Sequence, residues 1–156
     1  MMLSSTSFPA LSTMPTLHID YVLLDSAAKV PARGTTTDAA YDLSSCEQVT
    51  ITPGKRALIN TGLSINIPPG FVGYVCARSG LAVKNGIIIG AGVIDPGYTG
   101  PIKILLFNAG ELPFVIGAGD RIAQILFMPR LDVNFISVDS HDATDRGAKG
   151  FGSTGV

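Results

Sequence analysis

The chain has 156 residues, enough for one domain with a real core and too short for two comfortable ones. Apolar residues make up 46% and charged ones 15%, and the formal net charge of -1 excludes a broad nucleic-acid or membrane-surface patch. A mean hydropathy of +0.39 is high for a soluble monomer, yet no apolar run approaches the ~20 residues of a spanning helix, so surface hidden in an oligomer is the better account.

Residues 1–15, rich in Ser, Thr and Met with Pro9 and Pro15, read as a flexible N-terminal extension. They lack the basic start and apolar run of a secretory signal, and no Arg precedes Arg33, so an intracellular protein, cytoplasmic and/or nuclear, is expected. Residues 17–24 suit a strand; a Thr-rich loop then opens at Pro31 and leads into Asp38-Ala39-Ala40-Tyr41-Asp42-Leu43. A short strand over 48–52 ends at Pro53-Gly54. Next, Ala57, Ile59, Leu63, Ile65 and Ile67 alternate with Asn60, Gly62, Ser64 and Asn66, which predicts a half-buried strand with one wet face. Further strands are expected over 71–76, 87–89, 102–107, 113–116, 122–127 and 133–138, separated by Gly, Pro and Asn turns, with no amphipathic helix of useful length. Many short strands at this spacing mean an all-β sandwich or closed barrel over residues 16–139. Residues 140–156 hold one bulky apolar side chain, Phe151, among glycines, and are either a disordered tail or an arm that orders over a ligand.

Four stretches carry polar chemistry. Gly92-Val93-Ile94-Asp95-Pro96-Gly97-Tyr98-Thr99-Gly100 packs an acid, an aromatic and four chain-bending residues between two apolar strands. A carboxylate fixed in such a hairpin can activate water beside a ring-bearing ligand; the same residues also spell an ordinary Asp-Pro-Gly turn. Arg78-Ser79-Gly80-Leu81-Ala82 offers a guanidinium and a hydroxyl suited to phosphate oxygens, and Gln124 follows Asp120 and Arg121 into a strand. Gly150-Phe151-Gly152-Ser153-Thr154-Gly155 satisfies G-x-G-x-x-G, but no helix follows it, so a dinucleotide site fails on context. Cys46 and Cys76, like His18 and His141, have no metal-type spacing, and neither the zinc deaminase signature nor a G-x-S-x-G elbow is present.

Five motifs in this order resemble the homotrimeric deoxyuridine triphosphate nucleotidohydrolases, the dUTPases. They are Ala39 to Leu43, Arg78 to Ala82, Gly92 to Gly100, Gly119 to Gln124, and Arg146-Gly147 with Phe151 to Gly155. The resemblance implies a jelly-roll-like subunit and a trimer with an active site at each interface, hydrolysing dUTP to dUMP and pyrophosphate. That reaction limits uracil in DNA and supplies dUMP for thymidylate synthesis. Asp95 would activate the water that attacks the α-phosphorus. The backbone of Gly92, Val93 and Ile94 would read the uracil edge, and Tyr98 would pack on the deoxyribose. Arg78, Ser79, Gly80 and Gln124 would hold phosphates. Mg²⁺, chelated by the triphosphate, would be assisted through water by Asp42. The arm over 140–156 would close on another subunit's site, Phe151 and Gly152 over uracil, and Arg146, Ser153 and Thr154 on the γ-phosphate. Neither stable nucleic-acid binding nor membrane attachment is implied.

Ala40, Ala77 and Pro96-Gly97 depart from the family's usual residues. Ile-Asp-Pro-Gly before an aromatic also resembles the dCTP deaminases, but those use a glutamate where Leu105 stands here, and leucine cannot carry a proton. A nucleotide-responsive regulatory protein is the other alternative.

Overall fold

The alternating apolar residues sort themselves into two antiparallel sheets with one isoleucine-rich core between them. A computed structural model describes residues 16–149. Its elements are β1 (Asp20–Leu23), β2 (Tyr41–Ser44), β3 (Val49–Ile51), β4 (Arg56–Asn66), β5 (Phe71–Cys76), α1 (Ser79–Asn85), β6 (Ile87–Gly90), β7 (Val93–Ile94), β8 (Pro101–Asn108), β9 (Phe114–Ile116) and β10 (Arg121–Pro129). One sheet runs β1-β4-β8-β6, the other β2-β10-β5-β7, and β3 and β9 form a separate ribbon. This is the expected all-β, jelly-roll-like sandwich.

Ile59, Leu63, Ile104 and Leu106 from the first sheet meet Leu43, Val75, Ile122 and Ile125 from the second in a single buried cluster. Each such side chain contributes roughly 1.5–3 kcal/mol by leaving water. Asn108 is the buried polar tie among them. Its Nδ2 donates to the carbonyls of Ile51 (2.7 Å) and Leu112 (2.8 Å), and its Oδ1 accepts from the Gly110 N–H at 2.9 Å.

Some sequence expectations change. β4 has no wet face along its second half, where Thr61 to Ile65 are all buried. Its hydroxyls turn inward onto backbone instead: Thr61 Oγ1 donates to the Ile102 carbonyl and Ser64 Oγ to that of Thr99. A short helix, α1, follows Arg78; it makes under two turns and buries no residue, so it leaves no amphipathic period to read. Only four residues of the expected 17–24 strand pair, and all four are exposed. Residues 133–138 form no strand: they have the right β-branched content but no neighbouring strand to bond, and Val133, Phe135, Ile136 and Val138 stand exposed. The last strand contact is at Pro129, ten residues before the expected end of the β domain, and every residue over 130–149 is exposed.

Among the described residues no helix is long and apolar enough to cross a membrane. Cys46 and Cys76 are free, half-buried thiols.

Candidate active site

The stretch from Gly92 to Gly100 links β7 to β8 through a closed turn. Pro96 and then Gly97, at φ 76°, follow the residue pattern of a type II turn, and the Tyr98 N–H donates to the Asp95 carbonyl at 3.3 Å to close it. The Gly97 N–H donates to the Ile67 carbonyl at 3.1 Å, tying the tip to the end of β4. The base of the hairpin is held to β5. The Val75 N–H donates to the Gly92 carbonyl at 2.7 Å, and a Cβ on Gly92 would stand only 2.6 Å from the Val75 carbonyl oxygen, so this approach requires glycine. The Pro96-Gly97 departure therefore supplies a stiff turn directly after the acid.

Beside this hairpin lies an open cavity of about 460 Å³ lined by Val93, Ile94, Asp95 and Tyr98, with Leu58, Pro101, Ile102 and Lys103 on the sheet side. Asp95 is exposed to it. Leu58 and Lys103 were not expected here. Alternation in Ile102-Lys103-Ile104 puts Lys103 on the outer face of β8, but only the β4–β8 register, which pairs Leu58 with Leu105, shows that Leu58 is its neighbour. Leu105 itself lies between Leu58 and Gly90 on adjoining strands and brings no acid to the sheet.

A second polar group forms where β2, β10 and β5 run side by side. The register sets Gln124 opposite both Asp42 and Cys76, two residues before Arg78. Arg78 Nε lies 3.0 Å from Asp42 Oδ1, and Arg121 Nη1 lies 3.1 Å from Oδ2. Arg78 Nη1 also donates to the Arg121 carbonyl at 3.0 Å, and Gln124 Nε2 to the Ala77 carbonyl at 2.9 Å. Ser79 and Gly80 open α1 beside this group and are exposed.

The expected site residues thus fall into two sets within one chain. Val93, Ile94, Asp95 and Tyr98 share the cavity; Asp42, Arg78 and Gln124 cluster outside its lining. Arg146 is exposed, its Nε donating to the Lys149 carbonyl at 3.3 Å. Phe151, Gly152, Ser153 and Thr154 lie outside the described residues.

Order of motifs, sandwich topology and the acid-bearing hairpin all point one way, and a model of the dUTPase family matches residues 26–155. The chain belongs to the dUTPase family. It is 46% identical to the deoxyuridine 5'-triphosphate nucleotidohydrolase of Candida albicans over 142 residues, 90% of this chain and 89% of that protein. Against its Yarrowia lipolytica counterpart it is 42% identical over 143 residues, 90% of each chain. Among solved structures, the dUTPase of Staphylococcus bacteriophage 80alpha with dUpNHpp superposes at a TM-score of 0.84 with 32% identity, covering 90% of this chain and 100% of that one. A D95N mutant of the dUTPase from phage phi11 of S. aureus, whose structure shows the coordination of a structural Mg(II) ion, gives a TM-score of 0.74 at 29% identity, covering 80% of this chain and 98% of that one.

No cluster of three or more His, Cys, Asp or Glu that could hold a metal ion occurs among the described residues. Asp42 is the one carboxylate of the second group, and both its oxygens face arginines. Such a donor set fits an ion that arrives largely ligated by phosphates and waters, and does not fit an all-protein cage.

Proposed function

We propose that this chain hydrolyses dUTP to dUMP and pyrophosphate, with Asp95 as the general base. The observation that carries the reading is that Asp95 and Tyr98 line one cavity on a hairpin stiffened at tip and base. Asp95 accepts a proton from water as the water oxygen bonds the α-phosphorus. The bond from that phosphorus to the bridging oxygen breaks, pyrophosphate leaves, and Asp95 returns its proton to solvent. Backbone of Gly92, Val93 and Ile94 reads the uracil edge, and Tyr98 packs on the deoxyribose where a 2'-hydroxyl would clash.

Arg78, Ser79, Gly80 and Gln124 hold the phosphates, and Asp42 would help hold Mg²⁺ through water. Bound Mg²⁺ supplies neutralisation of triphosphate charge. Arg146, Phe151, Gly152, Ser153 and Thr154 complete the enclosure from the arm.

The working form is a homotrimer in which the hairpin of one copy faces the Arg78 group of another. Two features support this: the separation of the two polar groups within one chain, and the apolar surface one chain leaves in water. Leu58 and Ile88 are 57% and 52% exposed on the first sheet, and Leu131 and Phe135 beyond β10 are 83% and 93% exposed.

The deciding assay offers the purified protein dUTP, dTTP, dCTP and UTP with Mg²⁺ and measures pyrophosphate and ammonia separately. Pyrophosphate from dUTP alone is expected. Ammonia from dCTP, or no pyrophosphate from dUTP, overturns the reading. Sedimentation as a monomer at micromolar concentration would remove the shared site.

A further inference from the structure

We propose that Gly100 is a positioning residue that seats the ring of Tyr98 and so sets the discrimination between deoxyribose and ribose; this rests on the dUTP reading above. Tyr98 leaves the turn and its ring folds back along the chain, the phenolic oxygen donating to the Pro101 carbonyl at 3.2 Å. That path crosses Gly100. A Cβ on Gly100 would stand 2.5 Å from the Tyr98 phenolic oxygen, 2.7 Å from Cζ and 3.0 Å from Cε2. The outer edge of the ring thus occupies the space a side chain would take.

Those three atoms are the nearest that such a Cβ would meet, so the ring is the first thing it displaces. Gly100 is not among the positive-φ residues, and its backbone therefore accepts alanine without strain. Alanine at 100 acts first on the ring. Restoring ordinary carbon contact near 3.5 Å requires the ring to move by roughly 1 Å. Tyr98 is 44% exposed and borders the cavity, so the ring has room to move.

A wall that separates a hydrogen from a hydroxyl at one sugar carbon works only if its position is fixed more closely than that displacement. Glycine at 100 and the hydrogen bond to Pro101 fix it from two sides. Chain-bending ability is not what Gly100 contributes; the missing side chain is.

The test is the ratio of kcat/KM for dUTP to kcat/KM for UTP in the full-length wild type, Gly100→Ala, Tyr98→Ala and the double variant, with a thermal melt of each. Gly100→Ala is expected to lower the ratio about tenfold or more, a change that loss of folded protein alone does not produce. In the Tyr98→Ala background the same substitution should change the ratio by less than about twofold, because its target is gone. An unchanged ratio in Gly100→Ala overturns the proposal, as does an effect that adds in full to Tyr98→Ala. If Gly100→Ala does not fold, Tyr98→Phe decides: it removes the bond to Pro101 and should lower the ratio several-fold, and a wild-type ratio sinks the seat. A wild type that leaves dUTP intact overturns the functional reading itself, and the proposal with it.

Discussion

Arg78 and Asp42 are paired to each other, the Nε of one 3.0 Å from the Oδ1 of the other, while Arg121 takes the second carboxylate oxygen at 3.1 Å. The residue proposed for phosphate and the residue proposed for Mg²⁺ therefore neutralise one another in the free protein. On the proposed roles, Arg78 would pass to phosphate while Arg121 stays on the carboxylate. Asp42→Asn is expected to raise the Mg²⁺ concentration giving half-maximal turnover about tenfold. A Mg²⁺ titration at saturating dUTP that superposes on the wild type removes Asp42 from the ion's surroundings.

Asp95→Asn keeps the turn, because the bond that closes it uses the Asp95 backbone carbonyl and the ties to Ile67 and Val75 are also backbone to backbone. Turnover should fall by about 10²–10⁴ with nucleotide affinity preserved. Stopped-flow turnover beside calorimetric titration with a non-hydrolysable dUTP analogue separates the two effects, and near-normal kcat removes Asp95 from the mechanism.

Residues 140–149 bury no side chain in the described structure. Deleting 140–156 should therefore leave the melting temperature within a degree or two of the wild type while dUTP hydrolysis drops at least about tenfold. Full activity in the truncated protein contradicts a closing arm.

Asn108 joins β8 to the ends of β3 and the following loop through three bonds. Asn108→Ala leaves the buried Ile51 carbonyl and two part-buried groups, the Leu112 carbonyl and the Gly110 N–H, without their partner and should cost about 1–3 kcal/mol. Urea unfolding measures this directly, and a loss below 1 kcal/mol would place the tie elsewhere.

Burial pushes the Cys46 thiol above its ordinary 9.0, with the nearby Asp25 and Glu47 charges adding to it, and burial likewise raises Cys76 against the opposing hydrogen bond from Gln124. A folded-state pKa raised above the unfolded one gives stabilisation that is complete below the unfolded value and disappears as pH climbs through the folded one. Urea midpoints should accordingly fall as pH rises past the thiols' ordinary 9.0. At neutral pH iodoacetamide should label both thiols more slowly in the native protein than in the unfolded chain.

The strands were legible because each apolar residue in Ile102-Lys103-Ile104 declares a face, and the hairpin because Gly92, Pro96 and Gly97 mark its bends. What local pattern cannot carry is register between distant strands. Arg121 reaches Asp42 across 79 residues of sequence. Leu58 meets the cavity only because β4 pairs with β8. Ser64 looked wet because its polarity shows in the sequence while the carbonyl that accepts from it does not. Residues 133–138 looked like a strand for the converse reason: composition reports what a segment could pair with, not whether a partner is there.

The parting of Asp95 from Arg78 has a genetic consequence. If a working centre borrows its acid from one copy and its guanidinium from the next, damage at these two places falls in different centres when defective copies co-assemble. Random mixing of Asp95→Asn chains with Arg78→Ala chains then leaves about a quarter of the centres whole. Two inactive alleles would rescue one another, whereas two lesions in the same hairpin would not.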